Sequence, residues 1–72
     1  MFKRIKILRL EANFSIEFIS NYLDIPISIY TQIESGKHSI KTIHLIKLAR
    51  LYNTSVDYLV NETDVRYKYE IK

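Results

Sequence analysis

The chain of 72 residues has no cysteine, no tryptophan, one glycine and one proline. Without cysteine it cannot form a disulfide, and its only two histidines, His38 and His44, are too few for a structural zinc site. No run of about 18 apolar residues and no cleavable signal is present, so we expect a soluble, cytoplasmic protein that does not enter a membrane. Its stability must therefore come from a hydrophobic core.

Sequence patterns of catalysis are missing as well. The chain has no glycine-rich phosphate loop, no HExxH motif and no acidic pair on a pocket-forming scaffold, and a domain this small rarely encloses a substrate. We therefore expect neither an enzyme nor a bound cofactor or metal ion. So short a chain buries only about 60% of its unfolded surface, which makes pairing with a second copy plausible.

The positive charge is modest but grouped. Eleven Lys and Arg against eight Asp and Glu give a net charge of +3, which permits nucleic-acid binding without requiring it. One basic group occupies residues 3–9, and a second runs from residue 37 to residue 47 with no acidic residue inside it. A solvated charge run is the alternative for either group taken alone.

Residues 15–37 carry the most informative pattern. Ser15 can cap a short helix that places Ile19 and Leu23 on one face. Pro26 suits the first turn of a second helix, and Gly36, the only glycine, can end that helix in the left-handed conformation. Two helices of about two turns joined by three or four residues match a helix-turn-helix, whose second helix enters the major groove of DNA.

Apolar spacing elsewhere predicts three more helices, so the expected fold is all-α. Asn13 tolerates a left-handed turn after the first helix, and Ser55 can cap the last one. The five predicted helices cover residues 2–12, 16–23, 27–35, 42–52 and 56–60.

The C-terminal tail has a different period. We divide the chain into a DNA-binding domain over residues 1–61 and a tail over residues 62–72. In the tail Val65, Tyr67, Tyr69 and Ile71 alternate with charged residues, which indicates a half-buried strand. The same tail of a second copy is the economical partner for this dimerisation strand. Two alternatives are a frayed terminus and a tail that lies across its own helices.

Five segments in order and spacing resemble the lambda-repressor-like helix-turn-helix family of the Cro and XRE type. They are Arg4-Ile5-Lys6 with Leu8-Arg9, Ser15-x-Glu17, Tyr30-x-x-Ile33-Glu34-Ser35-Gly36-Lys37, Leu45-Ile46-Lys47-Leu48-Ala49 and Ser55-Val56-Asp57-Tyr58-Leu59. The resemblance covers about residues 4–59. It implies a compact five-helix domain, usually dimeric, that binds double-stranded operator DNA with helix 3 in the major groove.

The resemblance also assigns roles to residues. It implies an ion pair between Arg9 and Glu34 that ties helix 1 to helix 3, the alternative being two unrelated surface charges. The base-reading positions correspond to Ile27, Ser28, Thr31 and Gln32. Of these, Gln32 offers the bidentate match to adenine. Phosphate contacts would come from Ser35, Lys37, His38 and Lys41, together with backbone N–H groups around residues 35–37.

The chain departs from the family pattern at several positions. Ile16 replaces the glutamine that usually begins helix 2, and Asp24 replaces the glycine of the turn. Five apolar residues stand where polar ones are more usual, and we expect them to face outward: Ile7, Leu10, Phe18, Ile29 and Ile43. This much apolar surface suggests a partner.

The sequence is compatible with two functions. The leading one is a sequence-specific transcriptional regulator that binds a pseudo-palindromic operator as a homodimer. We expect a repressor, since no second domain that senses a ligand is evident. The alternative is a protein-interaction module of the antitoxin or anti-repressor type on the same scaffold, which Ile16 and Ile27 on the presumed DNA face favour slightly.

Overall fold

Five α-helices form the part of the chain that the structure, a computed structural model, describes, which is residues 2–66. They are α1 (Lys3–Glu11), α2 (Ile16–Leu23), α3 (Ile27–Ser35), α4 (Thr42–Leu51) and α5 (Val56–Leu59). No β-strand occurs among these residues, which confirms the all-α fold. The bounds of α2 and α3 are as predicted. Helix α1 is one residue shorter than predicted at each end, and α4 and α5 are each one residue shorter at the C-terminal end.

Local signals in the sequence start and stop these helices. The Ser15 hydroxyl accepts the N–H of Phe18 at 2.9 Å, and Ser55 does the same for Tyr58 at 3.0 Å. Each bond satisfies a first-turn donor that has no partner within the helix. Helix α3 ends at Gly36 with φ 82°, and α2 ends at Asp24 with φ 60°. Aspartate tolerates this left-handed conformation better than most residues, so the turn keeps the backbone that a glycine would adopt.

The core lies where the apolar faces of the helices meet. Helix α2 packs on α3, α4 packs on α5, and α1 contacts both α3 and α5. One cluster of buried side chains joins all five helices: Ile5, Leu8, Ile19, Leu23, Tyr30, Leu45, Leu48, Ala49 and Leu59. A single core therefore holds α3 against the other helices.

Not every apolar residue that we expected on the surface lies there. Ile7, Leu10, Phe18 and Ile43 are exposed. The prediction for Ile29 was wrong, because this side chain is half-buried. Ile29 precedes the buried Ile33 by one helical turn and so lies at the edge of the face that packs on the core.

Arg4 holds the end of the described chain against α1. Its guanidinium donates to the carbonyl oxygens of Tyr58 at 2.9 Å and Thr63 at 2.6 Å, and it pairs with Asp64 at 2.6 Å. It also lies 4.0 Å from the centroid of the Tyr58 ring, within the range of a cation–π contact. Residues 63 and 64 are therefore attached to their own domain.

The predicted dimerisation strand falls mostly on residues that the structure does not describe. Tyr67, Tyr69 and Ile71 lie outside the described residues, so the strand remains a prediction. Val65 is described, and it is exposed and outside any strand. At Arg66 the carbonyl oxygen accepts the Thr54 hydroxyl, and the side chain pairs with Glu11. Up to Arg66, the chain lies across its own helices.

Two tyrosines, the buried Tyr30 and the half-buried Tyr52, predict a loss of stability in alkali. Burial raises the pKa of Tyr30, whose hydroxyl also donates to Glu34, and burial likewise raises the pKa of Tyr52. Above about pH 10 the unfolded chain loses phenolic protons that the folded chain retains, so stability is complete below that pH and falls above it. We expect the free energy of unfolding to drop by up to about 1.4 kcal/mol per pH unit for each tyrosine.

Urea unfolding at a series of pH values between about 8 and 11.5, with phenolate absorbance, measures this loss. Tyr52→Phe should reduce the slope by about half, since one of the two groups is removed. Tyr22→Phe, which changes an exposed tyrosine, is the matched control. A stability that stays constant through this pH range would contradict the prediction.

Candidate nucleic-acid interface

One face of α3 is exposed along its whole length. Ile27, Ser28, Thr31 and Gln32 all lie on this face, and Ile27 is 49% exposed. The opposite face is buried through Tyr30 and Ile33. The structure therefore brings the four residues assigned to base reading together on one surface, which we call the α3 outer face.

The polar side chains of the α3 outer face differ in what they can offer. Ser28 and Gln32 make no side-chain hydrogen bond to any residue between 2 and 66, so their donors and acceptors remain available to a ligand. Thr31 donates its hydroxyl to the Ile27 carbonyl at 2.9 Å. Since that proton is used, Thr31 presents an acceptor and a methyl group. Gln32 is the residue with both bonding capacities on one planar group.

A buried ion pair joins α1 to the C-terminal part of α3. Arg9 donates from Nε to Glu34 at 2.6 Å and from Nη2 to the second carboxylate oxygen at 3.2 Å. The Tyr30 hydroxyl donates to the same carboxylate at 2.5 Å, and Arg9 donates further to the Phe14 carbonyl at 3.0 Å. Only 9% of the Arg9 side chain and 7% of the Glu34 side chain are exposed. We call Arg9, Glu34 and Tyr30 the buried network.

Within the buried network, the positive charge of Arg9 is paired with the carboxylate of Glu34. The hydrogen bond to Glu34 raises the pKa of Arg9, which outweighs the effect of burial, so the guanidinium stays charged. A bidentate guanidinium–carboxylate pair is directional, because both groups are planar. The network thus fixes the rotation of α3 about its axis and, with it, which side chains face outward.

The loop after α3 uses its backbone donors internally. The N–H of Gly36 donates to Ile33 at 3.2 Å, and the N–H groups of Lys37 and His38 donate to Gln32 at 2.8 and 3.2 Å. Our expectation that backbone N–H groups near residues 35–37 meet phosphates is therefore wrong for Gly36 and Lys37. Their donors close the C-terminus of the helix, as is usual around a left-handed glycine.

Side chains around this loop form a basic surface. Ser35, Lys37, His38 and Lys41 are all exposed. The Ser35 hydroxyl donates to the Gln32 carbonyl at 3.1 Å, so it must rotate before it can donate to a phosphate. His44, on the first turns of α4, is half-buried. Burial lowers its pKa, and the charges of Lys41 and Lys47 lower it further, so His44 adds little positive charge at neutral pH.

The N-terminal basic group is not a single surface. Arg9 is buried against Glu34, and Arg4 is half-buried and paired with the exposed Asp64, whereas Lys3 and Lys6 are exposed. Sequence reasoning recognised Arg9 only through the family resemblance and missed the role of Arg4. The signal for both was their spacing, since Arg9 follows the buried Ile5 by four residues and Arg4 precedes the buried Leu8 by four.

The fold and this face define a helix-turn-helix protein of the kind that presents its second motif helix to DNA. In comparison with known families, a helix-turn-helix family model matches residues 5–59, which is most of the chain. The chain therefore belongs to the Cro/C1-type, lambda-repressor-like helix-turn-helix family. Searches of curated proteins and of solved structures gave no significant match.

Membership in this family makes the chain a DNA-binding regulator of the helix-turn-helix type. The family is one of DNA-binding regulators and not of enzymes. Within residues 2–66, no three His, Cys, Asp or Glu side chains cluster as metal ligands do. In the same part of the chain, no helix has the length and apolar content to cross a bilayer.

Breaking the buried network should destabilise the domain strongly. Glu34→Ala leaves a buried guanidinium without its partner and the Tyr30 hydroxyl without its acceptor, and we expect a loss of about 3–5 kcal/mol in the free energy of unfolding. Urea unfolding followed by circular dichroism measures it. The double variant Arg9→Met/Glu34→Leu removes both charges at once and should recover at least half of this loss.

Glu11→Ala is the matched control, because it removes a carboxylate from an ion pair with Arg66 whose two side chains are 48% and 37% exposed. It should cost no more than about 1 kcal/mol. Equal losses for Glu11→Ala and Glu34→Ala would show that the buried network has no special weight.

Proposed function

We propose that this protein is a transcriptional repressor that acts in the cytoplasm and binds a pseudo-palindromic operator as a homodimer. The observation that carries the proposal is the α3 outer face, an exposed row of side chains that the buried network holds in one orientation. A helix held in this way can enter the major groove as a rigid unit. Repression would follow from occupation of promoter DNA.

In this proposal the α3 outer face reads bases. The Gln32 amide can donate and accept in one plane, which matches N6 and N7 of adenine. Ser28 has a hydroxyl that is free to donate or accept, and Thr31 offers an acceptor. Ile27, which is 49% exposed, can only make apolar contact, for example with a thymine methyl group.

The basic surface after α3 holds the DNA backbone in this proposal. Lys37 and Lys41 supply charge, and Ser35 and His38 supply polar contacts to phosphate oxygens. Such contacts set the position of the protein without reading the sequence. Each lysine that neutralises a phosphate adds about 0.9 to the slope of log K against log salt concentration.

A second candidate function is a protein-interaction module on the same scaffold. Ile27 favours it, because an exposed isoleucine on the α3 outer face is less useful for DNA than a polar residue. Ile16 is half-buried at the start of α2, where the family usually has a glutamine that reaches DNA. The polar side chains of Ser28 and Gln32 on the same face favour DNA binding over this second function.

Selection of bound duplexes from a random pool should yield an operator, and variants should then separate reading from positioning. Gln32→Ala should weaken operator binding by about 1–3 kcal/mol and relax the preference at one base pair. Lys37→Gln should weaken binding to all duplexes and lower the salt slope by about 0.9. Fluorescence anisotropy with a labelled duplex measures both effects.

Arg50→Gln is the matched control for charge, because Arg50 is exposed in the last turn of α4, at the opposite end from Lys41. It should leave the salt slope unchanged. If no duplex binds more tightly than competitor DNA, the result favours the protein-interaction module over the repressor. Transcription from a template with the operator in its promoter should fall as protein is added, and a rise would mean activation.

The homodimer gives a separate prediction about the tail. Light scattering should show twice the 8.6 kDa chain mass, and the selected half-sites should lie about one helical turn of DNA apart. Changing Tyr67, Tyr69 and Ile71 to aspartate should abolish the dimer if the tails pair. Changing Lys68 and Glu70, on the other side of the same alternation, to glutamine should not. A dimer that survives both sets of changes must form through another surface.

A further inference from the structure

An apolar groove lies between the exposed side of α1 and the C-terminal end of α3. Its volume is about 500 Å³, and it is lined by Lys3, Lys6, Ile7, Leu10, Glu34 and Ser35. Clefts of about 300–1,000 Å³ are typical of binding sites. Ile7 and Leu10 are 48% and 54% exposed, so two large aliphatic side chains lie at the surface one helical turn apart. We call this the α1 groove.

The charge around the α1 groove has one sign. Lys3 and Lys6 are exposed, and neither forms an ion pair with a described residue. The carboxylate of Glu34 also borders the groove, but Arg9 and Tyr30 already engage it and it is largely buried. A ligand would therefore meet an apolar floor with an uncompensated positive rim.

Other occupants fit this arrangement less well. DNA phosphates would use the two lysines but would gain nothing from Ile7 and Leu10. The chain's own tail over residues 67–72 carries two lysines against one glutamate, which does not complement a positive rim. A second copy of α1 is only about 14 Å long, so a contact between two such helices falls well below the roughly 800 Å² per partner of a stable interface.

We propose that the α1 groove docks an amphipathic helix of a partner protein, with leucine-like side chains on Ile7 and Leu10 and acidic residues against Lys3 and Lys6. Helices bind grooves in this way through anchors spaced one turn apart. Opposite charge at the rim steers the encounter and sets the orientation of the ligand. This docking uses α1 and not the α3 outer face; of the groove-lining residues, Ser35 alone also belongs to the basic surface that follows α3.

A pair of synthetic helical peptides tests the proposal on the full chain. Both carry leucines along one face, and the flanking positions are glutamate in one peptide and lysine in its twin. Titration followed by methyl NMR should show shifts at Ile7 and Leu10 with the acidic peptide, and binding of the basic twin should be at least ten times weaker. The double variant Lys3→Glu/Lys6→Glu should reverse this preference.

Leu10→Gln should lower the affinity for the acidic peptide at least tenfold. Ile43→Gln removes an isoleucine of similar exposure, 53%, from α4 and should leave the affinity unchanged. Thermal unfolding of each variant shows whether the fold is intact. Equal binding of both peptides, no binding, or equal effects of Leu10→Gln and Ile43→Gln would overturn the proposal.

Two further outcomes assign the groove elsewhere and would also overturn it. If Lys3→Gln and Lys6→Gln each lower the salt slope of duplex binding by about 0.9, the rim belongs to the DNA interface. If the chain alone gains mass with concentration and Leu10→Gln prevents this, the groove is a contact between copies. Failure of duplex binding with intact peptide binding would count against the proposed repressor and not against this groove.

Discussion

The bidentate pair between Arg9 and Glu34 is the interaction on which the presentation of α3 depends. Helix α3 has only nine residues, of which Tyr30 and Ile33 are buried. Because apolar contact is not directional, two buried side chains determine the rotation of a short helix only weakly. The planar hydrogen bonds from Arg9 on α1 determine it instead, and the Tyr30 hydroxyl, within α3, holds the Glu34 carboxylate in place for them. The same bonds decide which side chains of α3 can reach DNA.

The ion pairs of two arginines also shape the outer surface. Arg9 is paired within the buried network, and Arg4 is paired with the segment that follows α5. The exposed positive charge near the N-terminus therefore comes from Lys3 and Lys6. That charge lies beside Ile7 and Leu10, whereas the charge of Lys37 and Lys41 follows the α3 outer face. One modestly basic chain thus carries two chemically different surfaces: a polar one suited to DNA and an apolar one with a basic rim.

Local patterns predicted the helices well because each signal acts within a few residues. Ser15, Ser55 and Gly36 act on the backbone of their own turn, and the bounds of α2 and α3 were confirmed. Predictions failed where the end of a helix or the packing of the core uses a group that the sequence pattern leaves open. The N–H groups of Gly36 and Lys37 close α3 instead of facing outward, and Ile29 packs at the edge of the core. The role of Arg4 depends on residues more than 50 positions away.

The sequence by itself determined the five helices, their caps and the all-α class, because capping and apolar periodicity are local properties of the chain. Together with the family resemblance it also placed the base-reading candidates on α3. Only the tertiary structure decided which basic side chains form ion pairs within the domain and which are exposed without a partner among the described residues. It alone showed the α1 groove, because a groove forms between helices far apart in the chain, and no spacing along the sequence records their separation in space.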